Sequence, residues 1–415
     1  MKAKTAHERV APLEKSETGV TQGLSRWIVI GVFGLASMLN YLDRQLLAAA
    51  APAIKAEFSL SNTAYGTLLS AFSITYMIVT PLAGLFIDYI GVRVGAMIAV
   101  TAWSITGGIT GFVRSFTGLF MARMGLGIAE AAGIPASSKA SATYLRPSEV
   151  GLGNAIQSID ITVGAIAAPL VMAAVMPAYG WRAAFIICGA LGLLWVPLWR
   201  LTSSRAIPSG GTPVSSATVS VIDILVDKRL WGVVIGSTLV MTVYSLWMNW
   251  TTIYLVQEHG LTQTDANRYF AWIPPIFASV GGIVGGWWAY RLIRRGNAPV
   301  KGRLKVCLAA APILAITAIV PYLPTTQLAV AGICASFFGC MTIVINLHVI
   351  PIDLFGAKRA AFTASLLTAS FALVQTFLSP TIGAIVDYSS FATVCLLMSV
   401  LSLGGVALIW MSMKA

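Results

Sequence analysis

Five ionisable side chains stand inside stretches that are otherwise apolar: Asp43, Arg44, Arg123, Glu130 and Asp160. Charges in such surroundings are costly and tend to be functional. An arginine presents a planar fork that grips a carboxylate through two parallel hydrogen bonds. A carboxyl group stripped of its water favours its protonated form, so it can take up a proton as it is desolvated. Together these groups are the minimal equipment for moving an organic anion with a proton. Asp43 and Arg44 are neighbours rotated by about 100° on a helix, so one faces a central cavity while the other meets an adjacent helix. Arg123 and Glu130 lie close to two turns apart, with Gly127 between them. That spacing predicts one shared face with room for a solute against the backbone. Pairing Asp43 with Arg123 and Arg44 with Glu130 would instead simply hold the helices together, but it leaves Asp160 over. Neutral polar candidates are Tyr76, Gln157, Asn249, Asn346, Gln375 and, as weaker evidence, His348.

The elements that position these groups are set by lipid. The chain is 57% apolar with a mean hydropathy of +0.82 and only 10% charged residues. Soluble domains carry about 25% charged residues. A crossing helix needs about 20 apolar residues. Twelve such spans are predicted, near 27–51, 62–88, 92–112, 116–140, 150–178 and 181–200, then 230–256, 266–292, 304–323, 326–352, 358–387 and 390–412. The expected fold is therefore an all-α polytopic membrane protein. It comprises a disordered cytoplasmic tail (1–26), a first six-helix bundle (27–200), a Ser/Thr/Gly-rich linker (201–228) and a second six-helix bundle (229–415). No span is left for a soluble catalytic domain.

The net charge of +12 reads as topology rather than as nucleic-acid affinity. With the N-terminus inside, Lys55, Arg114, Arg182 and Arg268 are the cations of the outer segments, and Arg44 and Arg123 lie within spans. All other Lys and Arg fall on the cytoplasmic side, the positive-inside pattern, with both termini cytoplasmic. The five cysteines all fall in apolar spans without CxxC spacing, so neither disulfides nor a metal site are expected. No cleavable signal peptide is visible.

An internal repeat supports the two halves. Gly84-x-x-x-Asp88-x-x-Gly91-x-Arg93 follows the second span, and Gly285-Gly286-Trp-Trp-Ala-Tyr290-Arg291-x-x-Arg294-Arg295 follows the eighth. The first copy resembles the signature of the major facilitator superfamily. Asn40-Tyr41-Leu42-Asp43-Arg44, the segment from Arg123 to Pro135, Gly180-Trp181-Arg182-Ala-Ala-Phe185 and Ile253-Tyr254-Leu255-Val256-Gln257 resemble its anion:cation symporter family. That family includes bacterial hexuronate and galactonate transporters and is related to sialin and the vesicular glutamate transporters.

The resemblance implies proton-coupled symport of a sugar acid or another carboxylate by alternating access. Arg44 would hold the substrate carboxylate beside Tyr41 and Tyr76. Asp43 and Glu130 would be the protonation sites, and Arg123 a partner on the fourth span. Gly84, Asp88, Gly91 and Arg93 would serve gating. Asp160 would fall near a substrate-facing polar position of the fifth span, where relatives more often carry an uncharged residue. A Spinster-like carrier of lipids or amphiphiles shares the motif of the first span and is the runner-up. An intramembrane enzyme is disfavoured, since His7, His259 and His348 form no catalytic or metal motif. A receptor would append an effector domain. The expectation is thus a monomeric, multi-pass protein of the bacterial inner membrane that needs no cofactor beyond protons, with a small organic anion and membrane lipid as partners. A cysteine placed at Ser209 should react with impermeant thiol reagents from the cytoplasm only; labelling from outside would reverse the topology.

Overall fold

The computed structural model describes residues 17–146, 149–205, 221–356 and 360–414. The elements are α1 (Glu17–Phe58), α2 (Asn62–Ile90), α3 (Val92–Thr110), α4 (Phe116–Glu130), α5 (Gly133–Tyr144), α6 (Val150–Arg205) and α7 (Val221–Val226). They continue as α8 (Lys228–His259), α9 (Gln263–Asp265), a π-helical turn (Ala266–Ala271), α10 (Pro274–Arg294), α11 (Pro299–Leu314) and α12 (Ile316–Ile319). A 3-10 turn (Val320–Tyr322), α13 (Thr326–Phe355), α14 (Ala360–Tyr388) and α15 (Phe391–Ser412) complete the chain. Of the expected tail, residues 1–16 lie outside the described ones, whereas 17–26 are the first turns of α1 rather than disordered chain. Of the expected linker, 206–220 lie outside them, whereas 201–205 and 221–226 are helical.

Among the described residues, nine helical stretches are long and apolar enough to cross a membrane. One of these, Ile156–Ser204, makes two crossings because the chain reverses at Gly180, whose φ of 74° suits glycine. The fourth crossing is split. Pro135 has no N–H to give the carbonyl of Ala131, and the helix breaks over Ala131 and Ala132 between α4 and α5. Glu130 is thereby the last residue of α4. With α1, twelve crossings result. Several begin on a side-chain cap: Ser61, Ser115, Thr325 and Ser390 each accept a hydrogen bond from the N–H three residues on.

In the first bundle α1 and α3 pack on α6, while α2 and α3 pack on α4; in the second α10 and α11 pack on α13, and α8 packs on α15. Small residues set these approaches. A side chain at Gly281 or Gly285 would run into the backbone of Phe338 or Thr342. The all-α, two-bundle architecture read from the spans is the one observed.

The bundles meet mainly through α2 against α14, and α1 against α8. Hydrogen bonds across the divide gather at the cation-poor end. Asp387 of α14 accepts from the N–H groups of Asn62 and Thr63 at 2.9 and 2.8 Å, satisfying the free amides that open α2. The hydroxyl of Thr63 adds a third bond at 2.7 Å. Gln263 grips α1 where Pro52 interrupts it: its amide accepts from Ala53 N–H at 2.7 Å and donates to the carbonyl of Ala49 at 2.9 Å. Asn267 donates to the same carbonyl at 2.8 Å. At the cation-rich end the ion pairs Asp88–Lys139, Arg26–Glu149 and Arg303–Asp353 each stay within one bundle. The closed end is thus held by side chains of one half on backbone groups of the other. Gly66→Leu, driven into the backbone of Ser379 and Pro380, should hold that end open. A cysteine at Met248, behind the closure, should then react with impermeant thiol reagents from the cation-poor face at least about tenfold faster than in the parent. Equal rates would mean that α2 and α14 do not form the barrier.

Candidate functional site

Arg44 occupies the centre of the molecule, on the wall between two cavities. The first, of about 180 Å³, lies between the bundles and is lined by Tyr41, Arg44, Phe72, Tyr76 and Arg123 on one side. Tyr244, Ser245, Asn249 and Gln375 line it on the other. The second, of about 260 Å³, belongs to the first bundle, with Asn40, Tyr41, Arg44, Tyr76, Glu130, Ser137 and Gln157 on its walls. Toward the closed end lies a pocket of about 30 Å³, lined by Trp247, Pro169 and Pro274.

The guanidinium of Arg44 donates from Nε and Nη2 to one oxygen of Glu130, Oε2, at 3.1 and 2.7 Å. The other oxygen, Oε1, is buried and closes no hydrogen bond within 3.5 Å, and the side-chain amide of Asn40 lies beside the same carboxyl. Three rings collar the cation, with the guanidinium carbon 4.9 Å from the centre of Tyr41, 4.6 Å from Phe72 and 5.0 Å from Tyr76. Aromatic faces attract a cation electrostatically, the more so where water is excluded. The arginine side chain keeps 23% exposure, whereas Glu130 has none. A carboxylate entering the cavity therefore meets the fork before it meets the acid.

Of the other charges within the spans of the first bundle, Arg123 reaches the first cavity, whereas Asp43 and Asp160 line neither. Asp43 is buried, with Oδ1 unpartnered, and its carboxyl fills the space a side chain on Gly107 of α3 would need. Arg123 is buried 5.5 Å from the ring centre of Phe185, its Nε and Nη2 without hydrogen bonds. The two do not close an ion pair within 4.0 Å. The shared face expected for Arg123, Gly127 and Glu130 is not open to a solute: α2 covers Gly127, whose missing side chain would strike Thr75 and the Phe72 carbonyl. Asp160 turns its carboxyl to Gly34 of α1 and lies off both cavities.

Of the neutral candidates, Tyr41, Tyr76, Gln157, Asn249 and Gln375 line the cavities. Gln157 donates to the Ser137 carbonyl at 3.1 Å and to Ser141 at 3.0 Å. Gln375 accepts from Ser245 and donates to Ser379 at 2.9 Å, and the amide of Asn249 donates to the Ser245 carbonyl at 2.9 Å. Asn346 and His348 are placed elsewhere. Asn346 ties α13 to α10 through the carbonyl of Gly285 at 3.1 Å, and His348 bonds its own helix at the Val344 carbonyl, 2.9 Å away. In the signature segment Gly91 closes α2 at a φ of 80°, Asp88 pairs with Lys139, and the carbonyl of Arg93 accepts from Trp199 at 3.0 Å. Gly84 faces Pro135 at ordinary contact distance.

Sequence reasoning passed over Phe72, Tyr244 and Ser245, which complete the cavity. Phe72 and Tyr244 look like any other aromatics in an apolar span. The spacing of Phe72 and Tyr76, one turn apart and four turns or fewer from the cap at Ser61, was the available signal.

The sequence profile of the Major Facilitator Superfamily matches residues 33–365. The hexuronate transporter of Escherichia coli strain K12 is 28% identical over 93% of both chains. The probable L-galactonate transporter of the same strain is 31% identical over 83% of this chain and 78% of its own. The fold superposes on a bacterial homolog of the human lysosomal transporter Spinster, in an inward-facing and occupied conformation. That match has a TM-score of 0.79 and covers 94% of this chain and 97% of the other at 18% identity, which bears on the fold alone.

Closure of the Gly127 face is directly testable. Gly127→Ala should lower stability by about 1–3 kcal/mol, the usual cost of overpacking, read as a lower melting temperature in detergent. Gly282→Ala, with open space around it, is the control and should melt like the parent. A neutral Gly127→Ala would reopen the face to solute.

Proposed function

Because the chain belongs to the Major Facilitator Superfamily, among its hexuronate- and galactonate-transporter-like members, we propose that it imports a sugar acid with a proton by alternating access. It is a multi-pass membrane transporter and not an enzyme. In this reading it works as a monomer in the bacterial inner membrane, with both termini cytoplasmic and no cofactor beyond protons. The closed, cation-poor end then faces outward, and the cavities open to the cytoplasm.

The observation that carries the proposal is the Arg44–Glu130 pair on the cavity wall, with Nε and Nη2 of the arginine both donating to one oxygen. While Glu130 is ionised, this edge of the fork is engaged. A proton arriving on Oε1 neutralises the acid and releases the fork for a substrate carboxylate. Binding of proton and anion are then thermodynamically linked. Across the cavity, Ser245, Asn249 and Gln375 offer uncharged donors and acceptors that suit the hydroxyls of a sugar chain. The collar of Tyr41, Phe72 and Tyr76 holds the freed guanidinium in place at the cavity wall. The related hexuronate, galacturonate and galactonate transporters give the substrate class its support. An amphiphile carrier shares the fold only.

Uptake of labelled galacturonate and galactonate into proteoliposomes, with an inward proton gradient, tests the reading. Arg44→Lys keeps the charge but loses the fork and should cut uptake roughly 10–100-fold, the worth of a charged hydrogen bond. Glu130→Gln imitates the protonated acid. It should retain exchange of labelled for unlabelled substrate across the membrane and lose accumulation driven by the gradient. Undiminished accumulation in the Glu130 variant would remove it from coupling and direct attention to Asp43 and Asp160. Equal uptake of galactose and galacturonate by the parent would remove the anion from the proposal.

A further inference from the structure

The cation-rich end of α10 carries a surface that transport does not use. Trp287, Tyr290, Arg291 and Arg294 recur at helical spacing on one face. Trp287 and Tyr290 are 52% and 55% exposed, although both are large and aromatic. The guanidinium of Arg291 stacks 4.5 Å from the centre of Trp287, and that of Arg294 lies 5.7 Å from Tyr290 and donates to its hydroxyl at 3.3 Å. The three arginines 291, 294 and 295 line one open cleft with these rings.

What sets this cluster apart is its missing acid. In the first copy of the repeat Asp88 is present and pairs with Lys139. In the second, Tyr290 stands at the corresponding position. Nearby Arg303 is neutralised by Asp353 at 2.7 Å. Among the described residues, no carboxylate forms an ion pair with Arg291, Arg294 or Arg295. Fixed, like-charged guanidinium groups gather here without a counter-charge of the protein's own.

The same face of α10 continues toward the bilayer centre with Ile283, Val280 and Phe277, exposed by 73%, 42% and 42%. From Phe277 to Trp287 the helix rises about 15 Å. That is half of a hydrocarbon core about 30 Å thick, the depth of one leaflet. An exposed apolar stripe of one leaflet's length thus ends in two aromatic rings at the interface and then in paired arginines. Aromatic residues favour that level of the membrane, and basic clusters just beyond it attract acidic headgroups.

We propose that this face binds an acidic phospholipid, its phosphodiester between Arg291 and Arg294 and an acyl chain along Ile283, Val280 and Phe277. The lipid supplies the counter-charge that Asp88 supplies in the other half. A free phosphate would satisfy the arginines alone, so the two sources differ in whether the apolar stripe contributes.

Purified full-length protein is titrated with phosphatidylglycerol, phosphatidylcholine or inorganic phosphate, and the melting temperature and lipid retention in native mass spectra are followed. Phosphatidylglycerol should be retained and raise the melting temperature by mass action, while phosphatidylcholine and inorganic phosphate should not. The double variant R291Q/R294Q should need roughly thirty times more phosphatidylglycerol for the same rise, each arginine being worth about a factor of five. Should the double variant melt lower than the parent in phosphatidylcholine, the single variants, each about fivefold weaker, give the same reading on an intact fold. Unchanged phosphatidylglycerol dependence in the variants, or an equal response to inorganic phosphate, would overturn the proposal.

Discussion

A carboxylate buried in a membrane bundle must be paired or protonated, and the interior of this protein is arranged around that constraint. Glu130 has no exposure, and its ion-pair partner among the described residues is Arg44 at 2.7 Å. Removing a charge from water costs several kcal/mol even in a relaxed protein, and only a well-placed partner offsets it. The pair forms because α4 ends at Glu130, where Pro135 breaks the crossing, and because Arg44 approaches from α1 through a gap lined by rings. An alanine at either position would leave the other charge stranded. The proton is a substitute for the partner, which ties the ionisation of one acid to the freedom of one arginine.

The same economy governs the contact between the halves. No charge crosses from one bundle to pair with a charge in the other among the described ion pairs. The closed end is held by Asp387 on two amides of α2 and by Gln263 and Asn267 on the backbone of α1. Each backbone group can turn to water when the bundles part, and the net cost of exchanging such bonds is small. A salt bridge buried at the same place would be far harder to open. The closure is therefore specific in register and cheap to reverse.

The sequence disclosed depth well and direction poorly. Hydropathy located all the crossings, since a span's length is fixed by the bilayer, but it ran 116–140 as one span through the break between α4 and α5. The pairing of Arg44 with Glu130 was one of two arrangements open on paper. What failed was the azimuth of polar groups. Asn346 and His348 are turned into α10 and onto their own helix. Asp160 faces Gly34, and α2 fills the space beside Gly127. In a crossing helix every face is apolar, so the amphipathic stripe that orients a helix in a soluble protein is absent. Only the close approaches allowed by glycines carry the missing rotation, and a glycine does not name its partner.

The division of labour between the halves follows from these constraints. Arg44, Glu130, Asp43, Arg123 and Asp160 all belong to the first bundle, whereas the second bundle lines the main cavity with Tyr244, Ser245, Asn249 and Gln375, none of them charged. Had the arginine and its acid been split between bundles, each opening would have torn a buried ion pair apart. With both on one side, the pair stays within one bundle whichever end is open. The second bundle then contributes neutral hydrogen bonds that are made around the cargo and surrendered to water when the cavity opens. On the proposed reading, an anion held by its charge on one wall and by its hydroxyls on the other gives up both sets of contacts to leave: its hydroxyls turn to water, and Arg44 returns to Glu130 once that acid loses its proton.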